Sequence, residues 1–229
     1  MTSFNRFYQT WLDDLRNLVD ELAKAPKQPT DDEQNQNLLQ LVQDTMAHYT
    51  EYYRIKSLAA RHDVFSVFAN PWSTSLERSL HWIGGCRPTT VFHIVYTESS
   101  SLFNSRFNDI INGIHTGDLG DLSPGKLQQV SDLQCETVRQ ENSITKDLSE
   151  LQEGAVGLLL PDLASHGNTK ALVEILQKAD DLRLTTLKRE VELLTPLQAV
   201  EFLTATAEFH FVTRGLGVEL DRDRHNWIA

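Results

Sequence analysis

The stretch Phe4-Asn5-Arg6-Phe7-Tyr8-Gln9-Thr10-Trp11-Leu12-Asp13-Asp14-Leu15-Arg16-Asn17-Leu18-Val19-Asp20-Glu21-Leu22 reads as one amphipathic helix. Phe4, Phe7, Tyr8, Trp11, Leu15, Leu18, Val19 and Leu22 recur three or four residues apart, which lines them along a single face. A strand would need alternation with period two, and this stretch has none. Pro26 and Pro29 close the helix, because proline has no N–H to donate and clashes with the preceding turn.

The same period continues outward. Asp31-Asp32-Glu33 places carboxylates where a second helix begins and its dipole favours them. That helix carries the stripe Leu38, Leu41, Val42, Thr45, Tyr49 and Tyr52, on towards Ala60. Asn70-Pro71-Trp72-Ser73 breaks the pattern. A short helix is predicted from about Thr74 to Ile83, ended by Gly84-Gly85 in a left-handed cap, with Pro88 opening the next. Residues 112–125, rich in glycine, read as a surface loop. Ser123-Pro124 starts a long helix with Leu127, Val130, Val138, Ile144, Leu148 and Leu151 on one stripe. Residues 161–169 form another loop, and helix resumes near Lys170. Thr195-Pro196 caps and begins a last helix, with Phe202, Leu203, Phe209 and Val212, which Gly215 and Gly217 weaken. Strand alternation and internal repeats are absent. The predicted architecture is all-α: a single domain over residues 4–227, a bundle of about seven or eight helices with loops near 24–32, 112–125 and 161–169.

Charge narrows the function. The chain has 229 residues, with 21 Lys+Arg against 32 Asp+Glu and a net charge of −11. Phosphate affinity rests on clustered cations, and no basic run occurs, so direct DNA binding is not expected. An anionic membrane surface is excluded on the same ground. The longest apolar run, near Leu158-Leu159-Leu160, is far short of a membrane span, and residues 1–20 lack the apolar core of a signal peptide. Two cysteines, Cys86 and Cys135, fit a reducing nuclear or cytoplasmic setting.

Catalytic and metal motifs are missing. Cys86 and Cys135 have no neighbour at ligand spacing, and no H-x-x-x-H pair occurs, so no metal site is expected. G-x-S-x-G, P-loop and H-E-x-x-H patterns are absent as well. The chain therefore reads as a non-enzyme. Two aromatic segments stand out instead. Trp72 and Trp82 flank the turn Gly84-Gly85-Cys86-Arg87-Pro88, either as a structural corner or as a partner or ligand groove that includes Arg87, the latter making the chain an apolar-ligand sensor. Tyr8 and Trp11 lie on the first helix, either as core or as an interaction hot spot.

These segments carry a resemblance. F-x-x-F-Y-x-x-W near the start, P-W-S-x-x-L-E-x-x-L-x-W-I-G-G-C-R-P-T with F-x-x-V-Y, and D-L-S-P-x-x-L-x-x-V occur in order. Ala179-Asp180-Asp181-Leu182-Arg183 and L-L-T-P-L-Q-A-V-x-F-L follow. The chain resembles the plant delay-of-germination (DOG), or seed-dormancy-control, domain, which also forms the C-terminal part of TGA-type bZIP transcription factors. The resemblance implies a non-catalytic regulator in nucleus or cytoplasm, acting through proteins such as type-2C protein phosphatases of abscisic-acid signalling or bZIP factors. It implies a phosphatase-docking role for Tyr8 and Trp11, although Arg6-Phe7 stands where an acidic-Ser pair precedes that Tyr in the dormancy regulator. It also implies haem binding through two histidines four apart, the first matched by His210. Arg214 takes the second place, and a guanidinium has no lone pair for iron. DNA contact would come from a basic helix of the bZIP kind, which is not seen here.

Overall fold

The Phe4–Leu22 stripe forms α1, Ser3–Ala23, in a computed structural model that describes residues 3–27, 29, 31–105, 116–156 and 166–228. Then follow α2 (Asp32–His62), α3 (Val64–Ala69), α4 (Ser75–Ser79) and α5 (Thr90–Ser105). A 3-10 turn, Leu119–Asp121, leads into α6 (Pro124–Val156), α7 (His166–Leu193) and α8 (Pro196–Ile228). Among the described residues there are eight α-helices and no strand. Asp31 caps α2 by accepting from the Gln34 N–H, as its acidic start predicts.

Several expectations needed correction. The helix predicted over Thr74–Ile83 stops at Ser79. Thr74 and Glu77 close a capping box at its start, but Ile83 and Gly84 both take left-handed backbone, at φ 45° and 68°. Two consecutive left-handed residues fold a tight turn in which the Trp82 N–H donates to the Gly85 carbonyl at 2.6 Å. A β-branched residue rarely adopts this conformation, so Ile83 is strained. Pro88 belongs to the turn ahead of α5, which begins at Thr90.

The described part of residues 112–125 is packed inward, not laid over the surface. Leu119 is fully buried, its N–H donates to Glu201 at 2.8 Å, and Gln198 Nε2 donates to the Asp118 carbonyl. Residues 112–115 and 161–165 lie outside the described residues. Helix resumes at His166, earlier than Lys170. Gly215 and Gly217 do not end α8, which runs on to Ile228. Gly217 lets α8 pass against Thr74, since a Cβ there would overlap the threonine side chain. Phe209 and Val212 on α8, and Val138 on α6, are exposed, not on the core stripes.

Two apolar clusters fill the bundle. One joins Phe4, Tyr8, Trp11, Trp72 and Trp82 to Val67, Leu176 and Leu182. The other is mainly aliphatic, with Leu22, Leu38, Val42, Leu133, Leu187 and Leu203 around Phe92 and Phe202.

Candidate functional site

On α2, Tyr49, Tyr52, Tyr53 and Lys56 are spaced i, i+3, i+4 and i+7, which puts them on one face. That face, with Tyr8 and Trp11 of α1, walls a cavity of about 310 Å³. Val91 and Ile94 of α5, Leu187 of α7 and Phe209 of α8 oppose it, with Arg87 and Pro88 from the corner.

An ionic cluster lies at its edge. Lys56, Asp180 and Arg183 have side chains only 1%, 6% and 3% exposed. Lys56 Nζ donates to Asp180 Oδ1 and to the Gly84 carbonyl, each at 2.8 Å. Arg183 Nη1 donates to the same carboxylate oxygen at 2.5 Å. Its Nε donates to the Cys86 carbonyl at 2.6 Å, and its Nη2 donates to the Ile83 carbonyl at 3.0 Å and to that of Trp82. The two cations thus hold the strained turn by its carbonyls. Burial lowers the Lys56 pKa against the pull of Asp180.

A second polar set lies at the α1–α8 contact. The Tyr8 hydroxyl meets Nε2 of His210 at 3.2 Å. Arg214 stands 5.3 Å over the Tyr8 ring and donates to the Trp72 carbonyl and to Glu77, at 3.2 and 3.3 Å. Burial pushes His210 down to about 4 and His81, another lining residue, also to about 4, so both imidazoles are neutral at physiological pH. Tyr8, Tyr49, Tyr52 and Tyr53 are all pushed up by burial and stay protonated.

Of the residues singled out in the sequence, Tyr8, Trp11, Arg87 and His210 come together around this cavity, while Trp72 and Trp82 lie behind it in the aromatic core. Tyr8, Trp11, Trp72 and Trp82 are 2%, 5%, 7% and 6% exposed, so their rings face inward. Trp11 and His48 tie α1 to α2: Trp11 Nε1 donates to the His48 carbonyl, and His48 Nε2 to that of Trp11. Trp82 Nε1 donates to Thr145 at 2.9 Å. Arg87 is exposed and donates to the buried Glu141, which also accepts from the Thr89 N–H. Sequence reasoning missed Lys56, Asp180, Arg183 and Tyr53. A lysine on an otherwise apolar stripe, and the Asp180…Arg183 pair inside a family motif, were the available signals.

These residues do not fit a haem. Axial ligation needs an open imidazole nitrogen, and Nε2 of His210 already meets the Tyr8 hydroxyl. Arg214, one turn on, is committed to Glu77 and the Trp72 carbonyl. Among the described residues no group of three His, Cys, Asp or Glu is placed to hold a metal ion, and no helix is long and apolar enough to cross a membrane.

Comparison with known proteins agrees with the motifs. Residues 18–97 match the family model for seed dormancy control. Protein DOG1-like 1 of Arabidopsis thaliana is 28% identical, over 95% of this chain and 89% of its own length. Protein ZW2 of the same plant is 27% identical, over 94% and 96%. Transcription factor TGA3 of Arabidopsis thaliana is 28% identical over 94% of this chain, which spans about half of that factor, 54%. The chain is thus similar along nearly its whole length to the DOG1-like proteins, and to one half of a TGA factor.

Proposed function

We propose, from this similarity to seed-dormancy-control proteins and TGA transcription factors, that the chain is a non-enzymatic plant regulator. It acts through protein contacts in signalling or transcriptional control of seed dormancy and development, in the nucleus, the cytoplasm or both. The observation that carries the reading is the alignment over 95% of this chain and 89% of a DOG1-like relative, which leaves little of either without a counterpart. A net charge of −11 supports action on DNA only through bZIP-type partners.

The contact surface we favour is the outer face of α8. Phe209, Val212, Leu216 and Leu220 are 47%, 61%, 51% and 50% exposed and share one side of the helix. Phe209 also lines the cavity, as does the exposed Leu80. Tyr8 and Trp11 then serve docking by fixing α1 against α2 and α8, and Arg87 by lining the cavity that Phe209 also lines. The test is a pull-down with purified proteins at physiological salt, using a TGA-type bZIP factor and a type-2C protein phosphatase as baits. Wild type should retain at least one bait, and a Val212→Lys/Leu216→Lys variant of unchanged Tm should retain neither. Failure of wild type to hold either bait refutes these partners, and full retention by the variant refutes the α8 surface.

A further inference from the structure

The cavity between α1, α2, α5, α7 and α8 carries donors and charge that the other described residues do not satisfy. Lys56 offers three N–H groups and uses two, on Asp180 and the Gly84 carbonyl. Arg183 offers five and uses four, on Asp180 and the carbonyls of Trp82, Ile83 and Cys86. One N–H on each has no acceptor among the described residues. The cations share a single carboxylate, Asp180, so the cluster is one positive charge in excess among the described residues. An uncompensated buried charge is costly, and an anion beside it removes the cost. The hydroxyls of Tyr49, Tyr52 and Tyr53 make no hydrogen bond among the described residues, although all three tyrosines line the cavity.

The remainder of the wall is apolar, and on the α1–α2 side it is built of rings. Tyr8, Trp11 and Tyr52 lie 4.8 to 6.1 Å apart, centroid to centroid, in stacked and tilted pairs. Such a wall presents ring faces and edges to a planar guest, while an aliphatic chain gains only area. About 310 Å³ is near the lower end of small-molecule sites. We propose that this cavity is a binding site for a small aromatic monocarboxylate, its ring against Tyr8, Trp11 and Tyr52 and its carboxylate accepting from Lys56, Arg183 and the Tyr53 hydroxyl. The bound anion neutralises the cluster that holds the Trp82–Cys86 turn, so occupancy stabilises that corner.

Isothermal titration of the full chain with 2-naphthoate, 2-naphthylmethanol and decanoate tests this. The expected result is saturable one-to-one binding of 2-naphthoate, with the neutral alcohol and the aliphatic acid each weaker by about tenfold or more. Lys56→Gln should remove the preference for the acid over the alcohol. Tyr53→Phe keeps the ring and the packing, and should weaken 2-naphthoate about three- to tenfold while leaving the alcohol unchanged. Equal binding of acid and alcohol, tighter binding of decanoate, no binding of 2-naphthoate, or a Tyr53→Phe protein indistinguishable from wild type would each overturn the proposal.

Discussion

At the aromatic end of the bundle, Lys56, Asp180 and Arg183 are buried and bonded to one another and to four backbone carbonyls. At the aliphatic end, Glu190 on α7 is completely buried, and neither of its carboxylate oxygens has a partner among the described residues. Thr186, one turn earlier on the same helix, also lacks one for its hydroxyl. Both ends hide charge-bearing side chains, but only one supplies the bonds that make a buried ion tolerable. Ionic groups at the aromatic end are part of the architecture, whereas at the aliphatic end burial disfavours the ion and shifts the carboxyl towards its protonated form. Burial raises Glu190 to about 7.

The sharpest way to break this contrast is Asp180→Asn. It leaves Lys56 and Arg183 buried without a counter-charge and should lower unfolding free energy by about 3–5 kcal/mol in urea denaturation. A loss below about 1 kcal/mol would mean the cluster does not hold the corner.

Glu190 gives the opposite test, read against pH. Its folded value of about 7 exceeds the ordinary 4.5, so the native state binds more protons between the two. Stability present below about pH 4.5 is lost as pH rises to about 7, by up to about 3 kcal/mol. His81 and His210 work in reverse. Held at about 4 against an ordinary 6.5, they favour the fold above pH 6.5, and that contribution is lost as pH falls to about 4. The two windows overlap and oppose each other, so Glu190→Gln should make Tm rise more steeply than wild type between about pH 4.5 and 7. An unchanged slope over that window would show that Glu190 does not carry the loss.

Smaller effects separate the two glycines of α8. Gly217→Ala drives a methyl into Thr74 and should cost about 1–3 kcal/mol. Gly215 faces open space, and Gly215→Ala should add about 0.5–1 kcal/mol through helix propensity. Thermal melts of the pair check the sign of each. A hemin titration should show no Soret shift that depends on His210, because the Tyr8 contact occupies Nε2.

The apolar period made the helices legible: α1 and α2 begin and run as Phe4–Leu22 and Asp31-Asp32-Glu33 predict. The corner was legible as a corner, but not as a turn with Ile83 in the left-handed region. Arg183, about a hundred residues away in sequence, bonds the Ile83 carbonyl in that conformation, and no local signal reports the contact. Gly217 misled for a related reason, since glycine marks a helix end or a close crossing equally well, and Thr74 decides which. Aromatic spacing brought Tyr8 and Trp11 forward as candidates. It could not say that both rings turn inward, because the outer boundary of a helical stripe depends on what packs against it.

The proposed function puts partner contact at the aromatic end, and paired surface substitutions test that proposal most directly. Exposed residues are available at both: Phe209 and Val212 beside the cavity, Leu39 and Val138 away from it. Phe209→Ser/Val212→Ser and Leu39→Ser/Val138→Ser proteins, matched for Tm, would be compared in binding to a purified TGA-type bZIP factor. We predict that the first pair loses binding and the second binds as wild type. Loss confined to the second pair, or equal binding by both, would contradict the account.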